Sequence, residues 1–207
     1  MQKYVVALKN AWFKLNQYYQ FSDFENIFDI LIRAYSEPQR AYHTVQHLFE
    51  CLTLLESVKH YLNDPYAVEL ALWFHDAVYN PQANDNEVQS AQLFERLLIS
   101  DLDLDVIKKI KRWIIATQKH QSCSESDLQY LLDIDLAILA APLPRFMQYE
   151  QQIQYEFSWV EPTLYLKKRQ EVLLHFYESS CLYQTAYFQQ RYTSQAKLNL
   201  EKILKTS

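Results

Sequence analysis

Apolar residues recur three and four positions apart along almost the whole chain, and the alternation of half-buried strands is nearly absent, so the pattern predicts helices throughout. Phe24, Ile27, Phe28, Leu31 and Ile32 carry that spacing in clear form. A first helix is expected near residues 2 to 19, and a second between an N-cap at Ser22 and a stop at Pro38. A third runs from about Thr44 to Lys59. Asp64 followed by Pro65 reads as a cap with proline at the first helical position, opening a helix through about Tyr79, with Pro81 just beyond. Further helices are expected near residues 85 to 99, 103 to 119, 125 to 140, 143 to 160, 163 to 179 and 184 to 205, separated by short polar or proline-marked breaks. The expectation is an all-α, single-domain bundle of about nine to ten helices over residues 1 to 207.

Composition narrows the function classes. A hydrophobic fraction of 49% with 15% aromatics supports a packed interior and argues against disorder. Glycine is absent, so turns that need positive φ are expected to use Asn, Asp or Ser. The net charge of -5 and scattered basic residues lack the stripe of a nucleic-acid binder, and no nucleic-acid partner is expected. Cys51, Cys123 and Cys181 form no CxxC pair, which points to reduced thiols in a cytoplasmic protein. No signal-like run or membrane span is legible, so no membrane partner is expected.

The candidate chemistry lies between about residues 40 and 140. His43 and His47 are four apart, which on a helix stacks them on one face, and Cys51, Leu54 and Val58 continue that face into apolar positions. His75 and Asp76 sit in the apolar run ALWFHDAVYN, where a carboxylate is costly unless paired or bound to a metal. In LLDIDLAIL, Asp135 shares a helical face with Leu131, Leu132, Ile138 and Leu139, whereas Asp133 aligns with Glu125, Gln129 and Ala137. Asp135 is therefore expected to point inward and Asp133 outward. Taken singly, each His or Asp reads as a satisfied core residue; together they can enclose one divalent cation.

The segments RAYHTVQH, ALWFHDAVYNP, NEVQSA, IIATQKH and LLDIDLAIL resemble the HD superfamily of metal-dependent phosphohydrolases, in particular a bacterial branch of predicted HD phosphohydrolases. Weaker similarity continues through KKRQEVLLHFY. The resemblance implies an HD-type helical domain, with the metal-site core at about residues 40 to 140 and helices 143 to 205 packed on it. It implies His47, His75, Asp76 and Asp135 as metal ligands, with manganese first among Mn, Fe, Co, Ni, Zn and Mg. By similarity to the YHxxxH motif of cyclic nucleotide phosphodiesterases, His43 would protonate the leaving oxygen. The implied substrate is a small phosphoester, a nucleotide or phosphorylated metabolite. Three positions depart from relatives, which often carry Asn at Thr44 and Gly at Ala140 and Lys168.

Secondary candidates follow. Asn84, Asn86 and Glu87 can orient metal-bound water, with Glu87 the catalytic candidate, or Asn84 and Glu87 form a capping box. Lys119 and His120 read as phosphate contacts or part of a second metal site, or as residues favoured by a helix C-terminus. Arg40 reads as a phosphate-binding guanidinium and Arg169 as a second, with surface ion pairing the plainer alternative. His60 and His175 have no motif context. Two other functions fit the same residues: a di-iron oxygenase, for which only His120 is available as an extra histidine, and a non-catalytic metal- or nucleotide-binding regulator. Oligomeric state is open.

Overall fold

In a computed structural model of the chain, residues 2–205 are described, and they contain ten α-helices, two short 3-10 turns and no strand. The helices are α1 (Gln2–Tyr19), α2 (Phe24–Ala34), α3 (Val45–Val58), α4 (Pro65–Phe74), α5 (Asn86–Leu98), α6 (Leu104–Ala116), α7 (Ser126–Asp135), α8 (Leu143–Glu156), α9 (Pro162–Glu178) and α10 (Ala186–Leu204). The all-α expectation and the number of helices hold. No helix among the described residues is long and apolar enough to cross a membrane. The chain's contacts divide it into two compact units, one through Leu131 and one from Leu132 onward, with the boundary inside α7.

The first unit is built on α4. Asp64 Oδ1 accepts the amide of Ala67 at 3.1 Å and Pro65 occupies the first position, so the start of α4 is fixed locally. Every residue from Ala67 to Phe74 is buried, as a helix apolar on all sides requires. The helices α1, α3, α5 and α6 surround it. Trp12 of α1 meets Trp73 of α4 edge to face at 5.1 Å and donates its indole N–H to Phe24 O at 2.7 Å, tying α1, α2 and α4 together. Truncating Trp73 to alanine would cost about 3–5 kcal/mol of stability through the cavity it leaves.

Several helix ends fall short of the expected ones. The second helix starts after Asp23 rather than Ser22, whose amide bonds Asp101 Oδ2 at 3.2 Å. Left-handed backbone falls on Gln20 (φ 56°) and His120 (φ 47°), not on Asn, Asp or Ser. At Gln20 the cost is offset by Asn16, whose side chain accepts the next amide, that of Phe21, at 2.8 Å.

In the second unit, the turn Leu136–Ala140 follows α7 and packs against α8 and α10. Asn199 of α10 is buried and donates to Leu139 O at 2.9 Å and Ala141 O at 2.8 Å. Asp133 is 1% exposed and accepts the amides of Gln184 and Thr185 at 2.7 and 2.8 Å and the Thr185 hydroxyl at 2.7 Å. The expectation that Asp133 faces outward is thus corrected: the start of α10 supplies N–H and O–H donors that make burial of this carboxylate favourable. Arg169 forms a bidentate pair with Glu150 at 2.6 and 3.0 Å and donates to Tyr149 Oη at 2.8 Å, so its guanidinium is engaged within the unit.

Candidate metal centre

His47 lies in the first turn of α3, which begins where Thr44 adopts extended backbone (φ −117°, ψ 179°) and accepts the amide of Gln46. That cap corrects one expectation. His43 precedes the helix and stands in a turn, so the two histidines do not share a helical face; their ring centroids are 6.0 Å apart and nearly perpendicular.

His75 and Asp76 follow directly on α4, which stops at Phe74 rather than near Tyr79. The backbone polar groups that a longer helix would use are taken by other partners. Arg40 Nη1 donates to Asp76 O at 2.7 Å, Arg40 Nη2 donates to Ala77 O at 3.1 Å, and Ser90 Oγ accepts the amide of Val78 at 3.0 Å. Tyr35, buried and with its phenol pushed up to about 12 mainly by that burial, donates to Trp73 O and accepts the amide of Asp76, both at 3.3 Å.

These constraints bring donor atoms together. His47 Nε2 lies 3.1 Å from His75 Nε2, and Asp76 Oδ2 lies 3.1 Å from His75 Nε2 and 3.5 Å from His47 Nε2. Two nitrogens held at about 2.1 Å by one ion, at octahedral to tetrahedral angles, would be about 3.0–3.4 Å apart. His75 Nδ1 donates to Leu72 O at 2.7 Å, which turns Nε2 toward the other donors, where it would offer its lone pair to a bound ion. Asp135 is the last residue of α7, a helix that begins in the first unit at Ser126. Within the first unit, His47, Cys51 and His75 each offer one donor atom, all within 4.8 Å of one another, and such a group can hold a metal ion.

Burial by itself would raise the Asp76 carboxyl. The imidazoles of His75 and His43, with hydrogen bonds from His47 and His75, outweigh that and hold it well below the usual carboxylate range. Cys51 is the member of the group that sequence reasoning passed over as an apolar position. Its place one turn after His47 on the same face was the available signal. Its Sγ lies 3.7 Å from both His47 Nδ1 and Nε2, beside the ring rather than in line with one lone pair.

The remaining candidates lie elsewhere or act differently. Arg40, expected at a substrate phosphate, has a fully covered side chain and donates to Glu37, His43 O, Asp76 O and Ala77 O. Glu87 is half-buried in the first turn of α5, whose N-cap position is Asp85, so Asn84 and Glu87 do not form the expected capping box. Asn86 instead bonds the amide and carbonyl of Asn80, at 2.9 and 3.0 Å. Lys119 is exposed and His120 half-buried in the turn after α6, which ends at Ala116, and His120 does not join His47, Cys51 and His75. The three cysteines are free thiols.

Compared with known protein families, with curated proteins and with solved structures, the chain gives no match in any of the three.

Proposed function

We propose that this chain is a metal-dependent phosphohydrolase of the HD type, in which His47, His75, Asp76 and Asp135 hold a divalent ion. The observation that carries this reading is the triangle of His47 Nε2, His75 Nε2 and Asp76 Oδ2, with sides of 3.1, 3.1 and 3.5 Å, in which both histidines are buried and Asp76 is partly exposed. A carboxylate held against two buried imidazoles is a donor set, and its spacing suits one shared cation. The chemistry of two nitrogens and two carboxylates fits Mn, Fe, Co, Ni or Zn, with Mg also admissible, and manganese is the ion that the resemblance to HD phosphohydrolases favours. Thr44, where those relatives often carry Asn, caps α3 as Asn would.

An ion bound there supplies Lewis acidity toward a phosphoryl oxygen and makes coordinated water a nucleophile near neutral pH. The protein's own residues do the rest. His75 is oriented by Leu72 O, and the Asp76 backbone is held by the Tyr35 hydroxyl and Arg40. The His43 ring stands 6.0 Å from that of His47, where an imidazole can give a proton to the leaving oxygen of a small phosphoester.

The test is a panel of nucleotides and simple phosphoesters assayed with the manganese-loaded protein, wild type against His43→Ala. The expected result is turnover by the wild type, and in His43→Ala full metal content with turnover reduced about 100-fold or more. A metal-loaded wild type inert toward the whole panel would leave a metal-binding protein without this activity.

A further inference from the structure

His43 lies outside a helix, so its backbone alone does not fix its ring. Contacts from a segment more than thirty residues away in sequence do so. The imidazole stacks on Tyr79, with centroids 4.2 Å apart and planes 28° from parallel, while Tyr42 meets it edge-on at 4.9 Å. Tyr79 is itself anchored. Its carbonyl accepts Gln39 Nε2 at 3.2 Å, and the Arg40 guanidinium lies 5.3 Å from its ring centroid. Arg40 also joins the two backbones, because its Nη1 donates both to His43 O at 3.0 Å and to Asp76 O at 2.7 Å.

We propose that Tyr79 is a positioning residue for His43, its ring face fixing the plane of the imidazole beside the His47, His75 and Asp76 donors. The inference rests on the reading of His43 as proton donor to the leaving group. Tyr79 touches neither ion nor substrate in this scheme; it acts through His43. Misplacing a reacting group by about 1 Å costs about 100-fold in rate, which sets the scale of the effect.

Leaving-group chemistry distinguishes this role from a structural one. p-Nitrophenolate departs readily without protonation, whereas phenolate, with a conjugate-acid pKa of about 10, gains much more from an acid. The experiment compares phenyl phosphate with p-nitrophenyl phosphate, using the manganese-loaded full chain as wild type, His43→Ala, Tyr79→Leu and Tyr79→Phe. For Tyr79→Leu, kcat on phenyl phosphate is expected to fall about 10- to 100-fold, with a much smaller loss on p-nitrophenyl phosphate and unchanged KM and metal content. Tyr79→Phe, which keeps the ring face, restores the phenyl phosphate rate relative to Tyr79→Leu.

Equal losses on both esters, or none in Tyr79→Leu while His43→Ala is impaired, would overturn the inference and leave the phosphohydrolase reading intact. If the wild type cleaves neither ester, that reading fails for these substrates, and the clamp is judged by proton NMR. The Cε1 proton of His43 should be shifted upfield by the Tyr79 ring and move downfield in Tyr79→Leu. An unmoved resonance would overturn the inference.

Discussion

His47 Nε2 and His75 Nε2 face each other across 3.1 Å, while His75 Nδ1 is turned away to Leu72 O at 2.7 Å. The second contact gives the first its meaning. A ring held through Nδ1 on a carbonyl keeps its opposite nitrogen aimed at His47 and at the Asp76 carboxylate, 3.1 Å away.

Asp76 and Cys51 compete for the place beside the two histidines, and substitution separates them. Asp76→Ala is expected to lose the ion, and Cys51→Ala to keep it with only the modest instability of a small buried truncation, about 1 kcal/mol. Metal content by elemental analysis and urea midpoints check this. Loss of the ion in Cys51→Ala would make the thiolate the ligand.

Asp133 and Asp135 are two residues apart with separate tasks. Asp133→Ala strips the Gln184 and Thr185 amides and the Thr185 hydroxyl of their acceptor, and should cost about 2–3 kcal/mol while the ion is retained. Asp135→Ala is expected to do the reverse, lowering metal affinity with little change in stability. Chemical denaturation beside metal titration reads both effects.

Much of this was legible in sequence because helix-forming patterns and caps act locally: Asp64 with Pro65 marks the start of α4, and Thr44 the start of α3. The helix ends were not, since the stop at Phe74 depends on Arg40 and Ser90, which arrive from other segments. The facing of Asp133 was misjudged for a related reason. A helical wheel assigns a polar residue to solvent, and here a distant turn offers it hydrogen-bond donors. For the same cause Arg40 read as a ligand contact, although its partners are three carbonyls and Glu37 within the fold.

Arg40→Lys keeps the charge and loses the fork that spans His43 O, Asp76 O and Ala77 O. Metal affinity is expected to weaken about 10- to 100-fold, the usual consequence of losing a residue that orients ligands. Isothermal titration of the metal-free protein measures it, and unchanged affinity would deny Arg40 that role.

Glu69 offers a pH test away from the metal centre. Its carboxyl is raised by burial, partly countered by Lys59 at 3.1 Å, so the native state binds its proton more tightly than the unfolded chain does. The stability this contributes is fully present below the unfolded carboxylate range and is lost as pH rises through the folded pKa. Glu69→Gln, which cannot ionise, should therefore show a flatter rise in stability than the wild type as pH falls from neutrality toward 4. Urea midpoints across that interval follow the difference, and parallel curves would contradict it.

The proposed function rests on one divalent ion shared by His47, His75, Asp76 and Asp135. Its most direct measurement is metal stoichiometry after chelation, reloading with manganese and gel filtration, in the wild type and in His75→Ala. One ion per chain in the wild type and essentially none in a still-helical His75→Ala is the predicted result. A wild type that retains no ion, or a variant that binds it as tightly, would rule out this metal centre.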